Sequence, residues 1–507
     1  MRLSSVFISV LTLLVFVNFA AALNVKPILS NYDKKIGMQA FAQAKAKKWK
    51  SAIATIDKAN NPALKNLLML NNYTNARFKQ KDINLAKIKN FVARNKDYPF
   101  IKTIKNKFGL IAKDTTLKPK SKPQSIQPRW NKIAVQTRDL LKEQKYNQAF
   151  NKVRGAYQHY TNRGTKASAY WLEGWIALRF VDKPEHAAKM FKLLYDNTGR
   201  PISRSRGSYW LARSYEQLGK LQEAANWYAV ASQYNKTFYG QLAKQRLKEP
   251  GLQLTAHDID YTSQQATNFL THKHIYNARI LAEVGQTRLA RIFLNRYLST
   301  NDTAEDYRLV ADLGTAMGKP NWGVLAGKKA SYNDLSLIDA NYPIEQFTAK
   351  ISPEKALALA IMRQESEFDQ TITSHAGARG IMQVMPKTAQ YIAKQGGWQY
   401  NKNKLFDKQY NITFGSYYLN ERINNFNGSY ILAVAAYNAG KHRVDKWLET
   451  YGDPRGKPLY QVLDWIELIP FNETRNYVHR VLENTQVYRA RLNNNTHKIQ
   501  LVEDLAR

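Results

Sequence analysis

Tyr170-Trp171-Leu172, followed by Ala187-Ala188 and Phe191, is echoed downstream as Tyr209-Trp210-Leu211, followed by Ala224-Ala225 and Tyr228. The first element returns after 39 positions and the second after 37. Each unit reads as two helices, and Gly219-Lys220 separates the helices of the second unit. A helical hairpin of this size cannot bury its apolar face alone, so neighbouring units must stack. The aromatics are therefore read as core and not as a ligand platform. Upstream, Ala40, Phe41, Ala44, Trp49, Ile53 and Ile56 continue the helical spacing, with Lys45, Lys47, Lys48 and Lys50 as a solvated face. Alternation with period two is scarce along the chain, so the fold class predicted is all-α.

The 507 residues exceed what one core holds, roughly 250–300 residues. Arg2, the apolar run Leu11 to Phe19 and Ala20-Ala21-Ala22 read as an export signal over 1–22, which predicts a periplasmic protein. The chain has no cysteine, which excludes disulfides, a thiol nucleophile and thiolate metal sites. Seventy-six basic against 39 acidic residues give a net charge of +37, which favours a polyanionic partner. The export signal turns that expectation away from nucleic acid and toward peripheral contact with an anionic membrane or wall polymer. Residues 114–129, rich in Pro, Lys and Ser, read as a linker. From 252 to 345 the chain is helical without the repeat, until Pro343 and Ser352-Pro353 interrupt it. The predicted organisation is a signal peptide at 1–22, a superhelical domain at 23–251, a helical linker domain at 252–345 and a last domain at 346–507. The repeat spacing resembles tetratricopeptide-like hairpins.

The chemistry sits in the last domain. Ser352-Pro353-Glu354 suits a helix start: Ser352 as cap, Pro353 in the first turn and Glu354 on the dipole. Ala358, Ile361, Met362 and Glu365 then fall on one face, so a carboxylate stands on an apolar stripe near a helix C-terminus. Burial and the negative helix end both disfavour its ionised form, and a carboxyl kept protonated near neutral pH can act as a general acid. Alternatively it pairs with a core arginine. Glu367, two positions on, reads as a surface residue. Three further runs follow: Ser374-His375-Ala376-Gly377-Ala378-Arg379-Gly380-Ile381-Met382-Gln383-Val384-Met385-Pro386, then Ala435-Ala436-Tyr437-Asn438-Ala439-Gly440, then Ile466-Glu467-Leu468-Ile469-Pro470-Phe471-Asn472-Glu473-Thr474-Arg475-Asn476-Tyr477. The glycines allow a tight turn, and the Gln383 amide offers donor and acceptor to a sugar.

These four motifs, in this order over about 350–490, resemble the soluble lytic murein transglycosylases, whose catalytic domain is similar to goose-type lysozyme. Phe238-Tyr239-Gly240 with Leu242-Ala243 resembles the same family upstream. The resemblance implies a ring-like helical superhelix, a small helical linker domain and a C-terminal lysozyme-like catalytic domain. It places the catalytic acid and base on Glu365 and a hydroxyl partner on Ser374. It places substrate-binding positions on Gly380, Gln383, Met385, Tyr437, Asn438, Glu467 and Tyr477. Asp369-Gln370 and Lys441-His442 depart from the family pattern, the latter in the loop after Asn438.

The resemblance further implies the reaction. Glu365 would cleave the β-1,4 bond between N-acetylmuramic acid and N-acetylglucosamine in peptidoglycan glycan strands. It would then take the C6 hydroxyl proton, so that a 1,6-anhydro ring closes without water. No cofactor or metal is called for. Ser352 to Lys355 spells Ser-x-x-Lys, but no Ser-Asp-Asn or Lys-Thr-Gly accompanies it. His272 and His274 lack a His-Glu-x-x-His helix. Two other readings stay open: a lysozyme-like hydrolase on the same fold, and a basic, non-catalytic scaffold that binds the cell wall.

Overall fold

The computed structural model describes residues 23–78, 84–110, 130–347 and 354–507. The export signal at 1–22, the 114–129 linker and the Ser352-Pro353 cap lie outside the described residues. Within them the chain is all-α. Its 26 α-helices are joined by one strand pair of two residues each, Leu252–Gln253 against Thr496–His497.

The repeat forms as read. Helices Arg163–Arg179 and Pro184–Asp196 make one hairpin, and Pro201–Gln217 and Leu221–Ser232 make the next. Asn162 caps the first helix by accepting the Thr165 N–H, and Pro184 and Pro201 occupy first turns where no N–H is needed. Trp171 and Trp210 meet edge to face at 5.6 Å, and Phe191 lies 6.2 Å from Trp210. Gly174 lets these helices close, because a Cβ there would stand 2.9 Å from the Phe191 ring. Trp175 and Trp210 are wholly buried, as core residues should be.

Packing does not follow chain order. One core joins buried residues of 23–108 to those of 269–337. The other joins 141–254 to 324–505. The earliest helices thus pack on the helices at 263–341, and the repeat packs on the C-terminal helices.

The repeat and the C-terminal helices are locked by polar contacts as well. Trp175 Nε1 donates to Asp464 Oδ1 at 2.9 Å, and Arg179 Nε donates to Asp464 Oδ2 at 2.9 Å. The backbone N–H of Phe238 donates to Glu483 Oε2 at 2.6 Å, and the Gln241 amide donates to the Glu483 carbonyl at 3.1 Å. The Phe238-Tyr239-Gly240 motif therefore starts a helix against the long helix Asn472–Leu492. Gly240 is required there, because a Cβ would fall 2.1 Å from the Tyr234 carbonyl oxygen.

Trp210→Ala removes a wholly buried side chain at the centre of the repeat core and is expected to cost about 3–5 kcal/mol. Val135→Ala, on an exposed side chain, should cost less than about 1 kcal/mol. Denaturant midpoints of the two variants check the difference.

Candidate active site

The helix Lys355–Glu365 carries the predicted acid on its last residue. Ala356 to Arg363 are all buried, with Ala358, Ile361 and Met362 wholly so. Glu354 precedes the helix and is also paired with Arg489 at 2.5 Å, which ties the helix start to the long C-terminal helix. Ser366 ends the helix. Its N–H reaches the Met362 carbonyl, and its hydroxyl donates to the Ile381 carbonyl at 2.6 Å. That bond fastens the helix end to the glycine turn.

Glu365 is half-buried and accepts the Tyr477 hydroxyl at 2.6 Å. Among the described residues it has no cationic partner. Arg363 points to the carbonyl and side chain of Asn341, at 3.0 and 2.6 Å. Burial pushes the Glu365 carboxyl up to about 7; the Tyr477 hydrogen bond opposes the shift and the Glu473 charge adds to it. The Glu365 carboxyl is thus raised, and among the described residues no ion pair with a core arginine holds it.

The glycine turn is built from packing. Gly380 has φ of +76°, and a Cβ would strike the Leu405 carbonyl oxygen at 2.2 Å and the Asn411 amide at 2.4 Å. It is buried, so close packing accounts for it. Asn411, also wholly buried, organises the turn: its amide donates to the Arg379 and Leu405 carbonyls, and its oxygen accepts the Met382 N–H at 2.8 Å. Gln383 sits at φ of +52° and donates to the Gly380 carbonyl at 2.7 Å. Its amide oxygen accepts no hydrogen bond from any described residue.

Tyr437 and Asn438 end the helix Tyr430–Ala439. The Tyr437 hydroxyl donates to the Met382 carbonyl at 2.8 Å, which joins this helix to the turn. Asn438 Oδ1 accepts the Thr474 hydroxyl at 2.7 Å, which joins it to the long helix. Burial, and next the Glu365 charge, hold the phenols of Tyr437 and Tyr477 well above their ordinary value. Glu365, the Gln383 turn, Tyr437, Asn438 and Tyr477 therefore belong to one site.

Three predicted residues stand apart from Glu365. The Ser374 hydroxyl accepts the Ala378 N–H at 3.0 Å within its own turn and makes no hydrogen bond to Glu365. Met385 is exposed at the cap of the helix Pro386–Gly396, whereas Met382 fills the core. Glu467 is wholly buried and ion-paired to Arg206, and it accepts the Tyr239 hydroxyl at 3.0 Å. Burial would raise its carboxyl, but the charges of Arg206, His479, Arg475 and Arg138 hold it down at about 2. It thus joins its helix, Leu459–Leu468, to the repeat.

Sequence reasoning passed over Asn411 and gave Glu473 no role. Asn411 is one polar residue on a long helix with no pattern to mark it, whereas Glu473 lies within the run 466–477, which was the signal for it. Glu473 is exposed and lines a cavity of about 1140 Å³ between the repeat and the long helix, together with Arg138, Trp171, Arg206, Phe471 and Arg475. Among the described residues no cluster of three or more His, Asp or Glu converges as a metal site would require.

With this geometry in view, the comparisons with known proteins are direct. Residues 343–459 match the Transglycosylase SLT domain. Residues 468–496 match the Soluble lytic transglycosylase helical domain. The chain is 36% identical over 162 residues to the soluble lytic murein transglycosylase of Escherichia coli K12, covering 31% of this chain and 23% of the relative. The Salmonella typhimurium protein of the same name is 35% identical over 161 residues, again covering 31% and 23%. The matched segment thus spans about a quarter of the length of these curated relatives. The fold is similar to that of an inactive mutant of lytic transglycosylase Slt from Pseudomonas aeruginosa, with TM-score 0.56 and 21% identity over 92% of this chain and 74% of that one. Glu365, Gln383, Tyr437 and Asn438 fall inside the SLT match, and Tyr477 inside the helical one.

The raised Glu365 carboxyl has a stability consequence. The folded chain keeps this proton until about pH 7, while the unfolded chain releases it near the ordinary carboxyl value of 4.5. Folding therefore loses stability as pH climbs across that interval. Glu365→Gln, which cannot ionise, should be more stable than the wild type by about 1–3 kcal/mol at pH 8 and equal to it near pH 4. Unfolding midpoints at both pH values test this, and equal midpoints at pH 8 would refute the raised pKa.

Proposed function

We propose that the chain is a lytic transglycosylase that cleaves peptidoglycan glycan strands in the cell envelope. The observation that carries this reading is the Glu365 carboxyl, half-buried, raised to about 7 and bonded to Tyr477 with no cation beside it among the described residues, inside the SLT match. A neutral carboxyl at pH 7 can donate a proton where an ordinary glutamate has already lost it.

In this mechanism Glu365 protonates the oxygen that links N-acetylmuramic acid to N-acetylglucosamine. The C1–O bond breaks, and the N-acetylglucosamine side leaves as an alcohol with that proton. The acetamido oxygen of the muramic acid stabilises the positive C1 centre. Glu365, now an anion, takes the C6 hydroxyl proton, and the C6 oxygen bonds to C1. Glu365 is restored and no water is consumed. An oriented hydroxyl of the same sugar outcompetes solvent through its effective molarity. Tyr477 holds the carboxyl by one oxygen and leaves the other for the substrate. Gln383, Tyr437 and Asn438 line the reacting sugar, and Ser374, Gly380 and Met385 shape the turn beside it. Glu467 contributes by fixing the helix that precedes Tyr477.

Glu473 gives the hydrolase reading a second carboxylate whose charge reaches Glu365, so the product must decide. Digestion of purified sacculi by the wild type is expected to release products with 1,6-anhydro ends, one water lighter than hydrolytic ones by mass spectrometry. Glu365→Gln should lower release by at least about a hundredfold, the scale of losing a general acid. Reducing ends would replace the transglycosylase with a hydrolase. Binding to sacculi without turnover would leave only the wall-binding scaffold.

The pH dependence follows from the same proton. Turnover that requires protonated Glu365 falls as pH rises through about 7. Initial rates on sacculi between pH 5 and 9, with a descending limb near neutrality, are the expected result.

A further inference from the structure

The two residues after Ser366 have left-handed backbones, with φ of +52° at Glu367 and +68° at Phe368. Neither is a glycine, so the turn that ends the acid helix is strained and something must hold it. Phe368 is held by burial and by the Tyr488 ring, 6.5 Å away edge to face.

Glu367 is held differently. It is half-buried, and the surface role read from its position does not describe it. Its carboxylate pairs with Arg291 Nη2 at 2.5 Å and Lys328 Nζ at 2.6 Å. These cations come from two helices, Thr287–Tyr297 and Pro320–Ala330. Next to them, the hydroxyls of Thr287 and Thr371 lie 3.1 Å apart. The helices at 287–330 therefore grip the segment between Glu365 and the Ser374 turn at two points. Other charges nearby are Arg363, which acts on Lys328 and is bonded to Asn341, and Glu483, on which both Arg363 and Lys328 act. Burial would raise the Glu367 carboxyl, but Lys328 and Arg291 hold it below its ordinary value, so it is an anion. Facing Glu365 are Tyr477, Tyr437 and Glu473, none of them shared with this clamp.

We propose that Glu367 is a positioning residue for Glu365: clamped by Arg291 and Lys328, it holds the strained end of the acid helix so that the acid meets the substrate. Glu367 touches no substrate. It converts the helices at 287–330 from passive frame into a part of the catalytic geometry. The inference rests on Glu365 being the acid proposed above.

The test compares five forms of the full chain on sacculi: wild type, Glu367→Gln, Glu367→Arg, Arg291→Glu and the charge swap Glu367→Arg with Arg291→Glu. Glu367→Gln is expected to lower kcat about tenfold to a hundredfold, the scale of misplacing a reacting group, with KM within about twofold. The descending limb of its pH profile should move to lower pH, because a loosened helix end admits water to Glu365. The charge swap should recover most of kcat and return the limb toward neutrality, a coupling that a mutant cycle isolates. A Glu367→Gln enzyme with wild-type kcat and pH limb would overturn the proposal. So would a swap that is folded by circular dichroism yet no better than either single variant. A wild type that releases no anhydro product would instead defeat the proposed function, so the two failures are distinct.

Discussion

A carboxyl group inside a strongly basic protein must be kept away from cations if it is to stay protonated, and much of this architecture follows from that requirement. Seventy-six Lys and Arg residues surround 39 acidic ones, so an unpaired buried glutamate is not the default outcome. Helix geometry provides the separation. Arg363 and Glu365 are two residues apart on one helix, and such positions do not face each other. Arg363 turns to Asn341, and Glu365 turns to the phenol of Tyr477. A phenol can satisfy one carboxyl oxygen without supplying a full charge. The outcome is a carboxyl pushed up to about 7, above the ordinary value of a glutamate.

The neighbouring carboxylates make the point by contrast. Glu467 lies among Arg206, Arg138, Arg475 and His479 and is held ionised, at about 2. Glu367, two residues from the acid, is held ionised by Arg291 and Lys328. Glu483 is wholly buried and pushed up to about 7, against the nearby Arg480 and the N–H of Phe238. The residue type is the same at every position, and the chemistry is set by what each element brings alongside. A raised carboxyl alone therefore does not mark an active site. Glu365 is distinguished from Glu483 by its place at a helix end, beside the Gln383 turn and the Tyr437 helix.

This difference explains what could be read from the amino-acid order. The aromatic repeat was legible, because helical periodicity alone places Trp171 and Trp210 on buried faces. The acid helix was legible for the same reason. Contacts between distant segments were not. Glu367 looked like a surface residue because Arg291 and Lys328 lie 76 and 39 positions upstream and no local pattern announces them. The resemblance placed Glu467 in the cleft, but the Arg206 that pairs with it comes from the repeat far upstream, which no local pattern announces. Gly380 and Asn411 show a further limit. The glycine was visible, but the asparagine that makes it necessary sits 31 positions later with no signature of its own.

The long helix Asn472–Leu492 shows why a small site is carried by so large a helical frame. Thr474, near its start, binds Asn438; Tyr477, just under one turn later, binds Glu365; Glu483, about 9 Å further along the axis, binds the Phe238 backbone; Arg489 binds Glu354 at the start of the acid helix. One rod thus touches both ends of the acid helix, the helix of Tyr437 and Asn438, and the helix that follows the repeat. A helix of this length resists bending when its contacts are spread along it, so displacement at any one of these points is opposed by the others. The rod also reaches the turn beyond the acid helix, through Tyr488 against Phe368, and the 287–330 helices add the clamp on Glu367. The Glu365 end of its helix thus has supports on both sides, one from each of the two packing groups of this chain.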